Sequence, residues 1–164
     1  MANKVALKPN KSFRENARLL LPVLFDDFLS NRIRVVSHPR LKTDLHKMRI
    51  AGKTLRYAME FFDDAFDDEF SLCLREVKHL LDLMGQVHDC DVHIPVLHIQ
   101  LREIRSFNRA TVNPKDRIRT KALADLIRAE QNRRVTMFND ACAVIERWVI
   151  ENFKQRVVQS MNTV

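Results

Sequence analysis

The sequence predicts an all-α protein, an antiparallel four-helix bundle of long helices, on three observations. Apolar residues recur at three- and four-residue spacings through most of its 164 positions. Only two glycines, Gly52 and Gly85, occur in the chain, too few for a β-rich fold with many tight turns. Breaks marked by caps and prolines, at 37–39 and 113–114, leave stretches long enough for helices joined by short connectors.

Residues 1–10 are polar and uncapped and are expected to form a flexible arm before a single helical domain over 11–164. From about Ser12 to Val36, Phe13, Ala17, Leu20, Leu21, Leu24, Phe28 and Ile33 fall at helical spacing, with Pro22 removing one hydrogen bond inside the helix. A second helix is expected from about Pro39 to Phe62, its core stripe being Leu41, Leu45, Met48, Gly52, Leu55, Met59 and Phe62. Gly52 costs such a helix near 1 kcal/mol relative to Ala, which is tolerable where another group comes close. The acidic knot at 63–69 supplies a turn and favours the next helix N-terminus through the macrodipole. The third helix is expected from about Glu69 to Ser106, bent at Pro95, with Leu72, Val77, Leu80, Leu81, Met84 and Val87 inward. Asn113-Pro114 reads as the start of the fourth, with Ile118, Ala122, Leu126, Ile127, Val144, Ile145 and Trp148 as its core.

Three cysteines, Cys73, Cys90 and Cys142, an odd number without paired spacing, read as buried thiols in a reducing compartment. The start of the chain lacks the apolar run of a signal peptide, and no apolar run approaches the roughly 18 residues that span a bilayer. The expected location is cytoplasmic, with no membrane contact. Net charge is +7, and it is unevenly spread. Residues 1–60 carry thirteen Lys/Arg against five Asp/Glu, 61–104 three against ten, and 105–164 twelve against six. The surplus points to an anionic partner.

Within the second helix, Lys42, His46, Arg49, Lys53 and Arg56 follow one another at spacings of four, three, four and three. They form one stripe beside the apolar face, and an acid, Glu60, follows only after the fifth base. A surface built for stability would more often alternate the signs. The rise per residue puts about 15 Å between His46 and Arg56, a length suited to a linear polyanion rather than one small phosphate. Arg14 and Arg18 on the first helix, Arg75 and His79 on the third, and Arg117, Lys121 and Arg128 on the fourth are further candidates for such a groove. Periodicity leaves open which of them face the second helix. His46 adds an expected pH dependence: imidazole ordinarily titrates near 6.5 and a phosphate favours its cation, so binding should strengthen modestly from about pH 8 to 6.

The stretch LHKMRIAGKTLRYAMEFF resembles the signature helix of the CHAD family, the conserved histidine α-helical domains, through Leu45, His46, Arg49, Ile50, Lys53, Leu55, Arg56, Tyr57, Glu60 and Phe62. LLDLMGQVHDCDV is similar to the family's second pattern through Gly85, Asp89, Asp91 and Val92. The resemblance implies a helical bundle that binds inorganic polyphosphate through a basic surface, some members being found on polyphosphate granules. Members usually contain two bundle repeats, whereas this chain has the length of one. It is expected either to form a homodimer that rebuilds a two-bundle groove or to bind with half the surface. His88 stands where an Arg is typical, and Met84 where Leu is common.

The segment 88–98 is rich in His, Cys and Asp but offers no converging tetrahedral set, so no metal site is expected. His88 and Asp91 are expected to pair with each other on the apolar side, or Asp89 or Asp91 to hold a base of the second helix. With Tyr57 and Glu60, these residues would support the binding side chains. No glycine-rich phosphate loop or nucleophile motif occurs, and neither enzyme activity nor a cofactor is expected. Two other functions compete: a helical assembly module docking an acidic protein surface, and nucleic-acid binding. The latter is disfavoured by a single Tyr and a single Trp, which leave poor stacking platforms.

Overall fold

The computed structural model describes residues 7–39 and 42–162, and among them the regular structure is all helical, without strands. Six α-helices follow in order: α1 (Phe13–Leu29), α2 (Arg32–Ser37), α3 (Lys42–Phe62), α4 (Asp68–Ala110), α5 (Lys121–Ile150) and α6 (Phe153–Ser160). Short 3₁₀ turns at Asp63–Ala65 and Pro114–Asp116 precede α4 and α5.

α1 begins with a capping box that satisfies two otherwise unpaired backbone donors. The Ser12 hydroxyl accepts from the Glu15 amide, and the Glu15 carboxylate accepts from the Ser12 amide at 2.8 Å. Those bonds, the backbone one foremost, hold the Glu15 carboxyl below its ordinary range. α1 runs through Pro22 without interruption. The first helix is shorter than expected, because the chain turns at Ser30 and Asn31 before α2. That turn corrects one core assignment: Ile33 is 68 % exposed, and Val35 is the buried residue of α2.

α3 carries the apolar stripe the sequence predicts, with Leu45, Met48, Gly52, Leu55, Met59 and Phe62 all buried. Leu41, assigned to the same stripe, lies outside the described residues. Gly52 is required by close approach. A Cβ there would stand 2.6 Å from Leu81 Cδ2 and 2.7 Å from a ring carbon of Phe28, so α1 and α4 press on α3 at this point. The Asp67 carboxylate caps α4 by accepting from the Phe70 amide at 3.2 Å, and Ser71 donates to Asp63 at 2.7 Å across the turn.

α4 has 43 residues, about 65 Å of helix. Its first half joins the core through Phe70, Cys73, Val77, Leu80, Leu81, Met84 and Val87, while Leu72, expected inward, is 44 % exposed. Beyond that it pairs with α5, where Leu101 and Ile127 are buried outside the main core cluster. With one neighbour in place of two, this stretch covers few apolar side chains. Ile118 and Leu126, expected in the core, are about half exposed. Ala122 is exposed as well. The fourth helix also starts later than expected: Asn113 and Pro114 open only the 3₁₀ turn, and α5 begins at Lys121.

The C-terminal half of α5 returns to the core with Phe138, Ala141, Ile145 and Trp148. Asn152 reverses the chain in the left-handed region, φ 51°, which Asn tolerates better than most residues, and α6 follows. Phe153 of α6 stacks on Trp148 at 4.1 Å between centroids. Nearby, Glu76 of α4 accepts from the Trp148 indole at 3.3 Å, from Arg147 at 3.4 Å and from Arg156. That cluster fastens α5 and α6 to α4. Cys73 and Cys90 are buried and Cys142 half-buried, all three as free thiols.

Candidate functional site

The basic stripe lies where α3 meets α4, and the two helices run antiparallel there. Lys42, at the start of α3, approaches Asp91, and Glu60, near its end, approaches Lys78. Along this seam lie two hollows. The larger, about 560 Å³, takes Arg49, Lys53, Arg56 and Tyr57 from α3 and Leu81, Asp82, Gly85, Gln86 and Asp89 from α4. The smaller, about 340 Å³, takes Lys42, Thr43 and His46 from α3 and His88, Asp91 and Val92 from α4. All five predicted bases of α3 therefore line one seam, facing an α4 wall of mixed charge.

Their partners differ. Arg49 and Lys53 make no ion pair or hydrogen bond among the described residues. Arg49 reaches over Gly85, where an added Cβ would stand 4.0 Å from its Nε, so the missing side chain leaves the floor of the hollow open. Arg56 lies over the Tyr57 ring, 4.6 Å from guanidinium to centroid, a cation–π contact that fixes its plane. Its buried Nε has no hydrogen-bond partner and lies 4.0 Å from Glu60. Glu60 is instead held by Lys78 at 3.0 Å, so of its two pairs the one with Arg56 is the weaker. The site thus offers two free cations and one oriented by stacking, the donor set that suits phosphate oxygens.

At the other end, His46 and His88 face each other across the helices with ring centroids 5.4 Å apart. Asp91 does not pair with His88. Its carboxylate, 7 % exposed, accepts from Arg134 of α5 at 2.7 and 3.3 Å and lies 3.3 Å from the Lys42 ammonium. Of the two carboxylates expected to hold a base of the second helix, Asp91 therefore does so through Lys42. Asp89 makes no ion pair among the described residues.

The remaining predicted bases stand elsewhere. Arg75 and His79 are exposed on α4 and line neither hollow. Arg14 is exposed on α1, and Arg18 is committed to the Met161 carbonyl, which accepts from it at 2.9 and 2.6 Å. Arg117 donates to the Thr111 carbonyl in the connection before α5. Arg128 pairs with Asp125 at 3.5 Å, and Lys121 is exposed at the start of α5. In their place the structure adds Lys78, Asp82, Gln86 and Arg134 to the seam or its edges, Gln86 accepting from Arg133 of α5 at 3.2 Å. Asp82 and Gly85 were within reach of periodicity, lying seven and four residues before Asp89 on one helical face. Arg134 carried no such signal.

Neither a curated protein nor a solved structure matches the chain. One family model, described as the CHAD domain, matches residues 4–98 and so includes α1 to α3 and the α4 wall of both hollows. That match covers more than half of the chain, and it agrees with the signature residues now seen along the seam: the chain belongs to the CHAD family.

Proposed function

We propose that the α3–α4 seam binds inorganic polyphosphate and that the chain acts as a binding module rather than an enzyme. One observation carries the reading: Arg49 and Lys53, unpaired among the described residues, stand beside the stacked Arg56 in a single hollow. Cations held only for stability are expected to find carboxylates. Here Asp82 and Asp89 share the hollow, yet neither comes within ion-pair distance of the three bases. Those carboxylates weaken the hold on a lone phosphate. A chain of phosphates along α3 overcomes them by also meeting His46 and Lys42, about 21 Å of helix away from Arg56 at the far end. Membership of the CHAD family supports the same ligand.

The test is a calorimetric titration of long-chain polyphosphate into the full chain over a range of salt. Four to five bases displacing counterions should give a log–log slope of about −3, at about 0.7 per contact for a single-stranded polyanion. Polyphosphate should also displace single-stranded DNA at far lower phosphate concentration than the reverse. A slope near zero, or equal competition by DNA, would reject the specific ligand. A second reading, assembly with a protein partner, draws on Val96, Ile99 and Phe107, about half exposed on α4, and on Val112, exposed just beyond its end. Light scattering across a concentration series, with and without polyphosphate, separates the two readings. Association that polyphosphate leaves untouched favours the second.

A further inference from the structure

We infer that Arg134 of α5, beyond the matched stretch, is a positioning residue for the groove: it neutralises Asp91 so that Lys42 can face an anion. The inference rests on the polyphosphate reading of the seam.

Asp91 sits at the junction of three helices. Arg134 meets it as a fork, Nε to one carboxylate oxygen at 2.7 Å and Nη2 to the other at 3.3 Å. Two parallel charged hydrogen bonds of this kind are among the strong polar contacts in proteins. Nη2 also donates to the Pro39 carbonyl at 3.0 Å, tying the approach to α3 into the same arrangement. Arg134 is 16 % exposed at its side chain and lines neither hollow of the seam; with Lys42 and Asp91 it borders a separate, smaller hollow on the α5 side. Lys42 is at the opening, 53 % exposed, 3.3 Å from the carboxylate and 3.2 Å from the Asp91 backbone carbonyl.

Counting charge decides what this trio does. One carboxylate meets two cations, and the less exposed guanidinium takes the better geometry. Lys42 is left on the rim as the uncompensated charge, next to His46 and His88. Without Arg134, the same carboxylate would face a single cation. Lys42 would then be drawn into a one-to-one pair, its charge cancelled, and the small hollow would present a near-neutral wall to a phosphate. Arg134 lines neither of the two hollows along the seam. It acts through Asp91.

The experiment uses the full chain as parent, Arg134→Met, Asp91→Asn and the double variant, with circular dichroism melting read first. Long-chain polyphosphate affinity should fall about fivefold in Arg134→Met, with a shallower salt slope by about 0.7, the loss of one cation. Asp91→Asn should bind at least as tightly as the parent. The double variant should recover to within twofold of Asp91→Asn, because the carboxylate that captures Lys42 is gone. Arg134→Lys, which keeps the charge without the fork, should stay near the parent and serves if the Met variant does not fold. Unchanged affinity in folded Arg134→Met, or failure of the double variant to recover while folded, overturns the inference.

A second readout needs no ligand: acylation of Lys42 by acetic anhydride, followed by peptide mass spectrometry. It should slow severalfold in Arg134→Met and recover in the double variant. If the parent binds no polyphosphate but Lys42 reactivity follows this pattern, the ligand reading falls and the charge coupling stands. If polyphosphate binds but Lys42 reactivity is the same in all variants, the coupling falls and the ligand reading stands.

Discussion

Two sets of basic side chains meet the carboxylates of α4 in opposite ways. Near one end, Arg147, Arg156 and the Trp148 indole all converge on Glu76, which is largely covered. In the α3 seam, Arg49 and Lys53 share a hollow with Asp82 and Asp89 and pair with neither. The first arrangement spends its charges internally: Glu76 accepts from all three side chains, and together they clamp α5 and α6 onto the core. The second leaves charges idle, which gains the fold nothing and suits a ligand that supplies the missing anions. Arg156 shows the first case plainly, since its hydrogen bond to Glu76 holds its guanidinium protonated beyond the ordinary arginine range despite the opposing cost of burial. A cation's pairing, more than its exposure, separates scaffold from site in this molecule.

The widest gap between the two sets should open on removing the idle one. Replacing Arg49, Lys53 and Arg56 together by Ala should weaken polyphosphate binding about a hundredfold, taking ~1 kcal/mol for each lost base. The thermal midpoint should move by no more than about 2 °C, since two of the three bases hold nothing in place. Calorimetry and a melting curve on the same sample read both. A large fall in the midpoint with little change in affinity would exchange the roles assigned to the two sets.

Glu76→Ala makes the reciprocal cut. It strands the buried Trp148 N–H and takes one acceptor from each of Arg147 and Arg156, at a cost of about 2 kcal/mol. For a chain of this size that is a fall of roughly 4–8 °C in midpoint, with polyphosphate affinity in the remaining folded protein unchanged. Coupled loss of affinity would show that the clamp and the seam are not independent.

Why the seam could be read and the clamp could not follows from where each partner lies in the chain. Both stripes of α3 belong to one helix, so a 3.6-residue period places Leu45, Met48, Leu55 and Met59 inward and Arg49, Lys53 and Arg56 together beside them. Glu76 and Arg156 of the clamp are 80 residues apart, and Asp91 and Arg134 at the edge of the seam 43, on helices whose relative register periodicity does not give. The same gap explains why the His88–Asp91 pairing gave way to Arg134 and Lys42: nothing local announced a forked donor arriving from α5. It also explains Ile118 and Leu126. Their spacing is helical and apolar, but Ile118 lies in the connection before α5, and the start of α5 that carries Leu126 has α4 as a neighbour and lies beyond the main core cluster. Periodicity states which positions could face a core without stating how much core there is to face.

The two glycines sharpen the comparison at a smaller scale, because the same substitution should act in opposite senses. Gly52→Ala forces a methyl to within 2.6 Å of Leu81 and 2.7 Å of Phe28. The strain, about 1–3 kcal/mol, exceeds the near 1 kcal/mol of helix propensity gained, so the protein should lose stability. At Gly85 the methyl meets only Arg49 at an ordinary 4.0 Å, and the propensity gain should appear as about 0.5–1 kcal/mol of added stability. Chemical denaturation of both variants gives the signs. Destabilisation by Gly85→Ala would mean that the floor of the larger hollow is more closely packed than these distances indicate.

The smallest effect concerns the thiols, which lie on the scaffold side of the comparison. Burial is the first cause that raises Cys73, Cys90 and Cys142 above the ordinary thiol range, and the Glu130 carboxylate beside Cys90 adds to it. A raised pKa means the folded chain keeps protons that the unfolded chain gives up above about pH 8.5. That contribution to stability is therefore whole below the unfolded value and is lost as pH climbs through the folded one. Stability read from urea denaturation should fall between about pH 8 and pH 9.5, by no more than about 1 kcal/mol for each thiol, and the slope should flatten in Cys142→Ala. Over the same range native Cys73 should resist iodoacetamide while unfolded chains react, because the protonated thiol is a poor nucleophile and the core bars the reagent. Rapid labelling of Cys73 in folded protein would mean that the clamp around Glu76 opens readily, and the contrast with the seam would then be one of dynamics as well as of charge.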